Sequence, residues 1–148
     1  MTVDELCRLH RRIAFDTNLL IYLFEVGGPK AIAVQRLLDA AEGGSVSIIV
    51  ASLALAEISV NPAAIDNDVL AERYADAIRS IPRLDLVPLT VEIAIDAGLL
   101  RGRRGHSLPD AIHLATAVRA GASVFVTNDR RLRALPRLDV VQLADLVA

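Results

Sequence analysis

The hydrophobic positions fall into short runs of two kinds that alternate along the chain. RIAFD (Arg12–Asp16) is a brief strand-like run, and TNLLIYLFE after it predicts a helix closed by Gly27, Gly28 and Pro29. Lys30–Glu42 carries its apolar residues at helical spacing and stops at Gly43-Gly44. Val46–Val50 is wholly apolar, as strands buried on both faces are. Ser52 is placed to cap a helix over LALAEISV that ends by Asn61-Pro62, and Asp66–Ser80 reads as the next helix, stopped by Pro82. DLVPL is a weaker strand because of Pro88. Thr90 to about Gly102 is helical, RGRRGH reads as a basic loop, and Ser107–Arg119 is a helix ended by Gly121. Ser123–Thr127 and DVVQL are the last strands, the latter with edge character.

Strand–helix alternation without hairpin signals implies an α/β fold, a mostly parallel sheet of four to five strands with helices on both faces. Residues 1–11 precede the first strand as an N-terminal extension, and residues 12–148 read as one domain. Arg11 and Arg12 are either part of a solvated tail or an added contact to RNA. In such sheets ligands bind beyond the carboxyl ends of the strands.

Composition narrows the function. Aromatic residues are 3% and Trp is absent, so stacking on bases is not the main binding mode. A single cysteine, Cys7, excludes an internal disulfide and a cysteine-rich zinc site. The net charge of −2 excludes a general nucleic-acid coater. The basic residues are fifteen Arg against one Lys, Lys30, which reflects either codon bias or phosphate recognition by the planar guanidinium. No apolar run is long enough for a membrane helix and no secretory leader is visible, so the expectation is a soluble cytoplasmic domain without membrane partners.

Four of the eighteen acids stand in apolar company: Asp16, Glu57, Asp110 and Asp129. Buried carboxylates are costly unless hydrogen-bonded, paired or bound to metal. Each has a plain alternative. Asp16 can cap the helix after strand one, and Asp110, three residues after Ser107, resembles part of a capping box. Glu57 can face solvent, and Asp129 can cap the turn that follows it. Should the four converge, two carboxylates about 4 Å apart repel by roughly 4 kcal/mol at an effective dielectric of 20. A divalent cation removes that conflict, and an all-oxygen donor set suits Mg²⁺ or Mn²⁺.

FDTNLLIY with Asp16, LAEI with Glu57, LPDAIHLATA with Asp110 and VTND with Asp129 resemble the acidic signature of PIN-domain ribonucleases. The pattern is most similar to the VapC-type toxins of bacterial toxin–antitoxin pairs and spans about Ile13 to Leu143. The resemblance implies a three-layer α/β/α PIN-like domain and a metal-dependent endoribonuclease acting on tRNA, rRNA or mRNA. It also implies a cognate antitoxin that masks the acidic groove, and a homodimer. By carry-over, Asp16, Glu57, Asp110 and Asp129 are catalytic and hold Mg²⁺ (or Mn²⁺), with Thr17 and Asn18 supporting them. The N-terminal stretch is longer than these toxins usually carry.

Other residues are weighed on their surroundings. Arg101, Arg103 and Arg104 precede Asp110 and reach a phosphate backbone or form a solvated loop; Arg130, Arg131 and Arg133 offer another face. His113, on an apolar helix, reads as interior or supporting the site, and Glu92 with Asp96 as a solvated face. The apolar TNLLIYLFE and AIAVQRLLDAA helices form either a partner surface or core. Two other readings stand beside the nuclease. A haloacid-dehalogenase-like phosphohydrolase needs a second Asp where Asn18 stands and a phosphate-holding Lys that Lys30 is wrongly placed to supply. A catalytically silent PIN scaffold would bind RNA or protein only.

Overall fold

In the computed structural model, which describes residues 1–147, five short runs form one sheet: Arg12–Phe15 (β1), Ser47–Ala51 (β2), Leu84–Val87 (β3), Val124–Thr127 (β4) and Asp139–Gln142 (β5). Their order is β3-β2-β1-β4-β5 and every pairing is parallel. The expected α/β arrangement therefore holds, with five strands and no antiparallel pair among them. β1 lies at the centre, where Ala14 is paired with Ile49 on one side and Phe125 on the other. DVVQL is an edge strand as expected, and the Pro88-limited strand is the other edge.

Side chains alternate across the sheet and so divide the core. Ile13, Phe15, Ile48, Val50, Val124 and Val126 face one layer, built by Val3–Leu9 (α1), Thr17–Ile21 (α2), Gly28–Glu42 (α3) and Leu53–Ala64 (α4). Ala14, Ile49 and Phe125 face the other, where Leu114 and Ala117 of Leu108–Arg119 (α7) pack with Leu132 and Leu138. Val91–Arg104 (α6) lies against α7 through Ile93, Ala97, Ala111 and Ala115. Asp68–Arg79 (α5) buries Ile78 beneath β3. Leu19 and Leu20 of α2 and Val34, Leu37 and Leu38 of α3 are buried, so the core reading of these helices holds for those positions. Among the described residues no helix is long and apolar enough to cross a membrane.

Four local outcomes differ from the sequence expectation. The N-terminal stretch is not a tail: Thr2 and Glu5 close a reciprocal cap on α1, whose Val3 and Leu6 enter the core. Arg12 donates to the Ala120 carbonyl and the Ser47 hydroxyl and pairs with Asp85 at the amino ends of the strands, far from where a ligand binds in this fold. The reading of Arg12 as an RNA contact is therefore corrected. The helix of α4 runs past Pro62 to Ala64, because Pro62 falls in its last turn and its ring is buried. The basic loop is also corrected: Arg101, Arg103 and Arg104 form the last turn of α6. The left-handed residue that ends it is Gly105 (φ 79°), not Gly102, and three cations suit a helix carboxyl end.

Candidate active site

Strand β1 delivers Asp16 to the carboxyl edge of the sheet. Its backbone is extended and its Oδ1 accepts the Thr17 amide at 2.8 Å, so the capping role and the site role fall on one residue. Asp16 is 8% exposed. Its Oδ2 accepts the Thr127 hydroxyl at 2.6 Å, from the end of β4, and the Asn18 side-chain amide at 3.3 Å. Burial nevertheless pushes the Asp16 carboxyl above the usual aspartate range, against the lowering effect of Thr127, His113 and the Thr17 amide, and the negative charge of Asp110 pushes the same way.

Asp110 occupies the first turn of α7. Ser107 caps this helix by accepting the Asp110 amide at 3.3 Å, which leaves the Asp110 carboxylate facing the cavity that Arg104, His106, Ser107, Arg131 and Arg133 also line. The other two acids are committed elsewhere. Glu57, half-buried on α4, accepts the Thr17 hydroxyl at 2.8 Å and lies in direct contact with His113 Nε2. Burial opposes ionisation of Glu57, but the hydrogen bond and charge from His113, with the Thr17 hydroxyl, outweigh it and hold the carboxyl below its usual range. Asp129 is gripped by the guanidinium of Arg131 at 2.7 and 3.0 Å and accepts the Arg131 amide at 2.9 Å. The Arg131 side-chain hydrogen bond, helped by its amide and its charge, lowers the Asp129 carboxyl despite partial burial.

The four acids therefore surround one edge without meeting at one point. Among the described residues no three His, Cys, Asp or Glu side chains converge as a ready-made metal group. Thr17 and Thr127 join the parts instead. Thr17 links Asp16 to Glu57 and lies 3.2 Å from His113 Nε2, while Thr127 accepts the Asp129 amide at 3.0 Å as it donates to Asp16. His113 is interior and supports the acids, as its apolar helix predicts. Thr127 stands inside VTND without a role legible from sequence, since a hydroxyl ending an apolar strand carries no mark of what it bonds.

Replacing Thr127 by Val keeps the shape and removes the donor to a buried carboxylate. Metal-free protein should then lose about 1–3 kcal/mol. Denaturant unfolding of both proteins measures it, and an unchanged midpoint contradicts the linking role.

The arginines separate by place. Arg104, Arg131 and Arg133 line the cavity beside Asp110, whereas Arg101 donates to the His106 carbonyl at 2.9 Å and Arg103 lines a different hollow with Leu99 and Val118. Of Glu92 and Asp96, the latter pairs with Arg119 at 2.8 Å.

A family model described as PIN domain matches residues 13–138, which hold four of the five strands and helices α2 to α7. The chain belongs to the PIN-domain family. Solved structures share this PIN fold. VapBC2 of Rickettsia felis, bound to a promoter DNA fragment, matches at TM-score 0.69 and 19% identity over 88% of this chain and 98% of that one. A toxin–antitoxin complex from Klebsiella pneumoniae matches at 0.64 and 23% over 85% and 94%. VapC20 of Mycobacterium tuberculosis, a toxin that cleaves the sarcin–ricin loop, matches at 0.61 and 19% over 76% and 86%. No curated protein is significantly similar to the chain. With the PIN assignment the haloacid-dehalogenase alternative falls.

Proposed function

We propose that this PIN domain is a divalent-metal-dependent endoribonuclease, the toxin of a toxin–antitoxin pair acting in the cytoplasm. The observation that carries the reading is Asp16. A carboxylate this buried, at the carboxyl edge of a parallel sheet and repelled by Asp110, is an unfavourable ion that a bound cation would make favourable.

The donor set fits such an ion in a particular way. Mg²⁺ is commonly held by one or two carboxylates and keeps several waters, so Asp16 and Asp110 would hold it without a four-carboxylate cage. Glu57 and Asp129, tied to His113 and Arg131, would position the waters around it. A bound Mg²⁺ or Mn²⁺ supplies acidity to water and offsets charge on a phosphodiester. Thr17, Asn18 and Thr127 hold the Asp16 carboxylate in one orientation. Arg104, Arg131 and Arg133 place three guanidinium groups where a phosphate backbone would approach Asp110.

The partner reading rests on the toxin–antitoxin complexes that share the fold, and on an unpartnered apolar stripe. Val91, Ile95 and Leu99 are exposed at helical spacing on α6, with Val118 of α7 exposed too. This stripe, rather than α2 and α3, is the surface for a homodimer contact. The antitoxin would cover the acidic edge.

The arginine face is tested by a salt series. Arg104→Ala with Arg133→Ala should weaken binding of single-stranded RNA to an inactive Asp16→Asn background, irrespective of sequence. The slope of log affinity against log salt should flatten by about 0.7 for each lost contact. An Arg101→Ala and Arg103→Ala pair should leave the slope nearly unchanged. Equal slopes in all three proteins would place the RNA on another face.

A further inference from the structure

Lys30, the only lysine in the chain, lies in the first turn of α3 and has no role in the site described so far. Its ammonium is held by the Asn128 side-chain carbonyl at 3.0 Å and the Tyr22 hydroxyl at 3.4 Å, and sits 4.9 Å from the centre of the Tyr22 ring. None of these partners carries a negative charge, and among the described residues no carboxylate pairs with Lys30. A cation held by neutral acceptors and a ring face keeps its charge available. Lysine has three donors, and two are engaged.

The cluster is wired to the acids. Asn128 precedes Asp129; its amide N–H donates to Asn18 Oδ1 at 3.2 Å, and Asn18 in turn donates to Asp16. Asn128 Nδ2 donates to the Tyr22 hydroxyl at 3.0 Å, which fixes the presentation of Lys30. Tyr22 itself begins a π-helical turn over Tyr22–Val26, an irregularity frequent at functional sites. Beside Lys30 opens a cavity of about 410 Å³ walled by Tyr22, Gly27, Pro29, Ala144 and Val147, apolar but for the tyrosine hydroxyl and the ammonium. Tyr22 and Val147 pack on the α1–α3 side of the sheet, whereas Arg104, Arg131 and Arg133 stand on the α7 side. Positive groups thus flank Asp16 from both faces of the sheet.

We infer that Lys30 binds the phosphate of a nucleotide flanking the scissile bond, with the base of that nucleotide against Tyr22 and Pro29 in the adjoining cavity. The strand then crosses the carboxyl edge of the sheet, from the arginines on one face, over Asp16 and Asp110, to Lys30 on the other. This rests on the ribonuclease reading and adds a defined subsite to it. Lys30 is a substrate-positioning residue, so its loss raises KM and spares kcat.

Single-turnover and steady-state cleavage of a short single-stranded RNA by wild-type, Lys30→Met and Lys30→Gln proteins tests it. A charge-assisted contact of ordinary strength corresponds to about a tenfold rise in KM. Gln can keep the polar contact to Asn128 without the charge, so both variants should show the same rise. Rescue by Gln would mean that Lys30 only braces Asn128, and would overturn the subsite. The second readout uses RNAs carrying one uncharged methylphosphonate linkage at successive positions. Wild-type protein should be sensitive at one linkage beside the cleaved bond, and Lys30→Met should be insensitive there. Equal sensitivity in both proteins overturns the inference. Wild-type protein that neither binds nor cleaves any RNA tried overturns the ribonuclease reading as well. Cleavage by wild type with an unaltered KM in Lys30→Met overturns this inference alone.

Discussion

Asp16→Asn should abolish at least 99% of RNA cleavage while leaving the protein folded and, without metal, less sensitive to rising pH than wild type. A hundredfold loss asks about 2.7 kcal/mol of the barrier, modest for a residue placed to hold a catalytic ion. The asparagine carbonyl can still accept the Thr17 amide, so the start of α2 keeps its cap. The stability half follows from burial. Asp16 is raised above the usual aspartate range, so the folded protein binds its proton more tightly than the unfolded chain does. Stability of the metal-free protein therefore falls as pH rises from the ordinary aspartate range through the raised folded value. The neutral amide of the variant carries no such pH-dependent cost, although its NH2 cannot accept from the Thr127 hydroxyl as Asp16 Oδ2 does. Unfolding curves of the two proteins in chelator should show wild type losing stability from acid to neutral pH relative to the variant. A catalytically silent scaffold predicts no cleavage by either protein, and a variant that cleaves at the wild-type rate removes Asp16 from the mechanism.

Divalent metal should produce the second large effect. An ion bound by the folded state alone adds about 2.7 kcal/mol at a concentration one hundred times its Kd. Mg²⁺ or Mn²⁺ should raise the unfolding midpoint of wild type and much less that of Asp16→Asn or Asp110→Asn. The gain should fade as pH drops, because protons compete with the ion for Asp16, whose carboxyl burial raises. Thermal unfolding across a metal titration measures it. A rise of equal size in wild type and both variants would mean the ion binds elsewhere.

The architecture is readable in the sequence because buried parallel strands and their helices leave unmistakable runs, and punctuation such as Gly43-Gly44 and Gly121 marks their ends. The candidate acids are readable for a related reason, since an isolated Asp or Glu in an apolar run needs an explanation. What stays hidden depends on which side chain meets which. Nothing in LAEI says that Glu57 turns to His113, and nothing in VTND says that Arg131 closes on Asp129. The first joins residues 56 apart, which only the folded chain decides, whereas the second is local and accompanies the turn cap open to Asp129 in the sequence. The end of α6 escapes the sequence for a smaller reason. Gly102 and Gly105 are equivalent stops on paper, and only the second takes the left-handed backbone. The first eleven residues resemble a tail because the capping box of Thr2 and Glu5 is masked by the charges that follow it. Lys30 has no visible role in the sequence because it stands 98 residues from Asn128, although the fold places the two in contact.

Metal-dependent cleavage of RNA at Asp16 is what separates a nuclease from a silent scaffold. Its most direct test incubates purified wild-type protein with a labelled structured RNA in Mg²⁺, in Mn²⁺ and in chelator, with Asp16→Asn beside each. Wild type should make discrete internal cuts in metal only, with the variant at least a hundredfold slower. Cuts that persist in chelator, or that the variant makes equally fast, would contradict metal-dependent cleavage at Asp16.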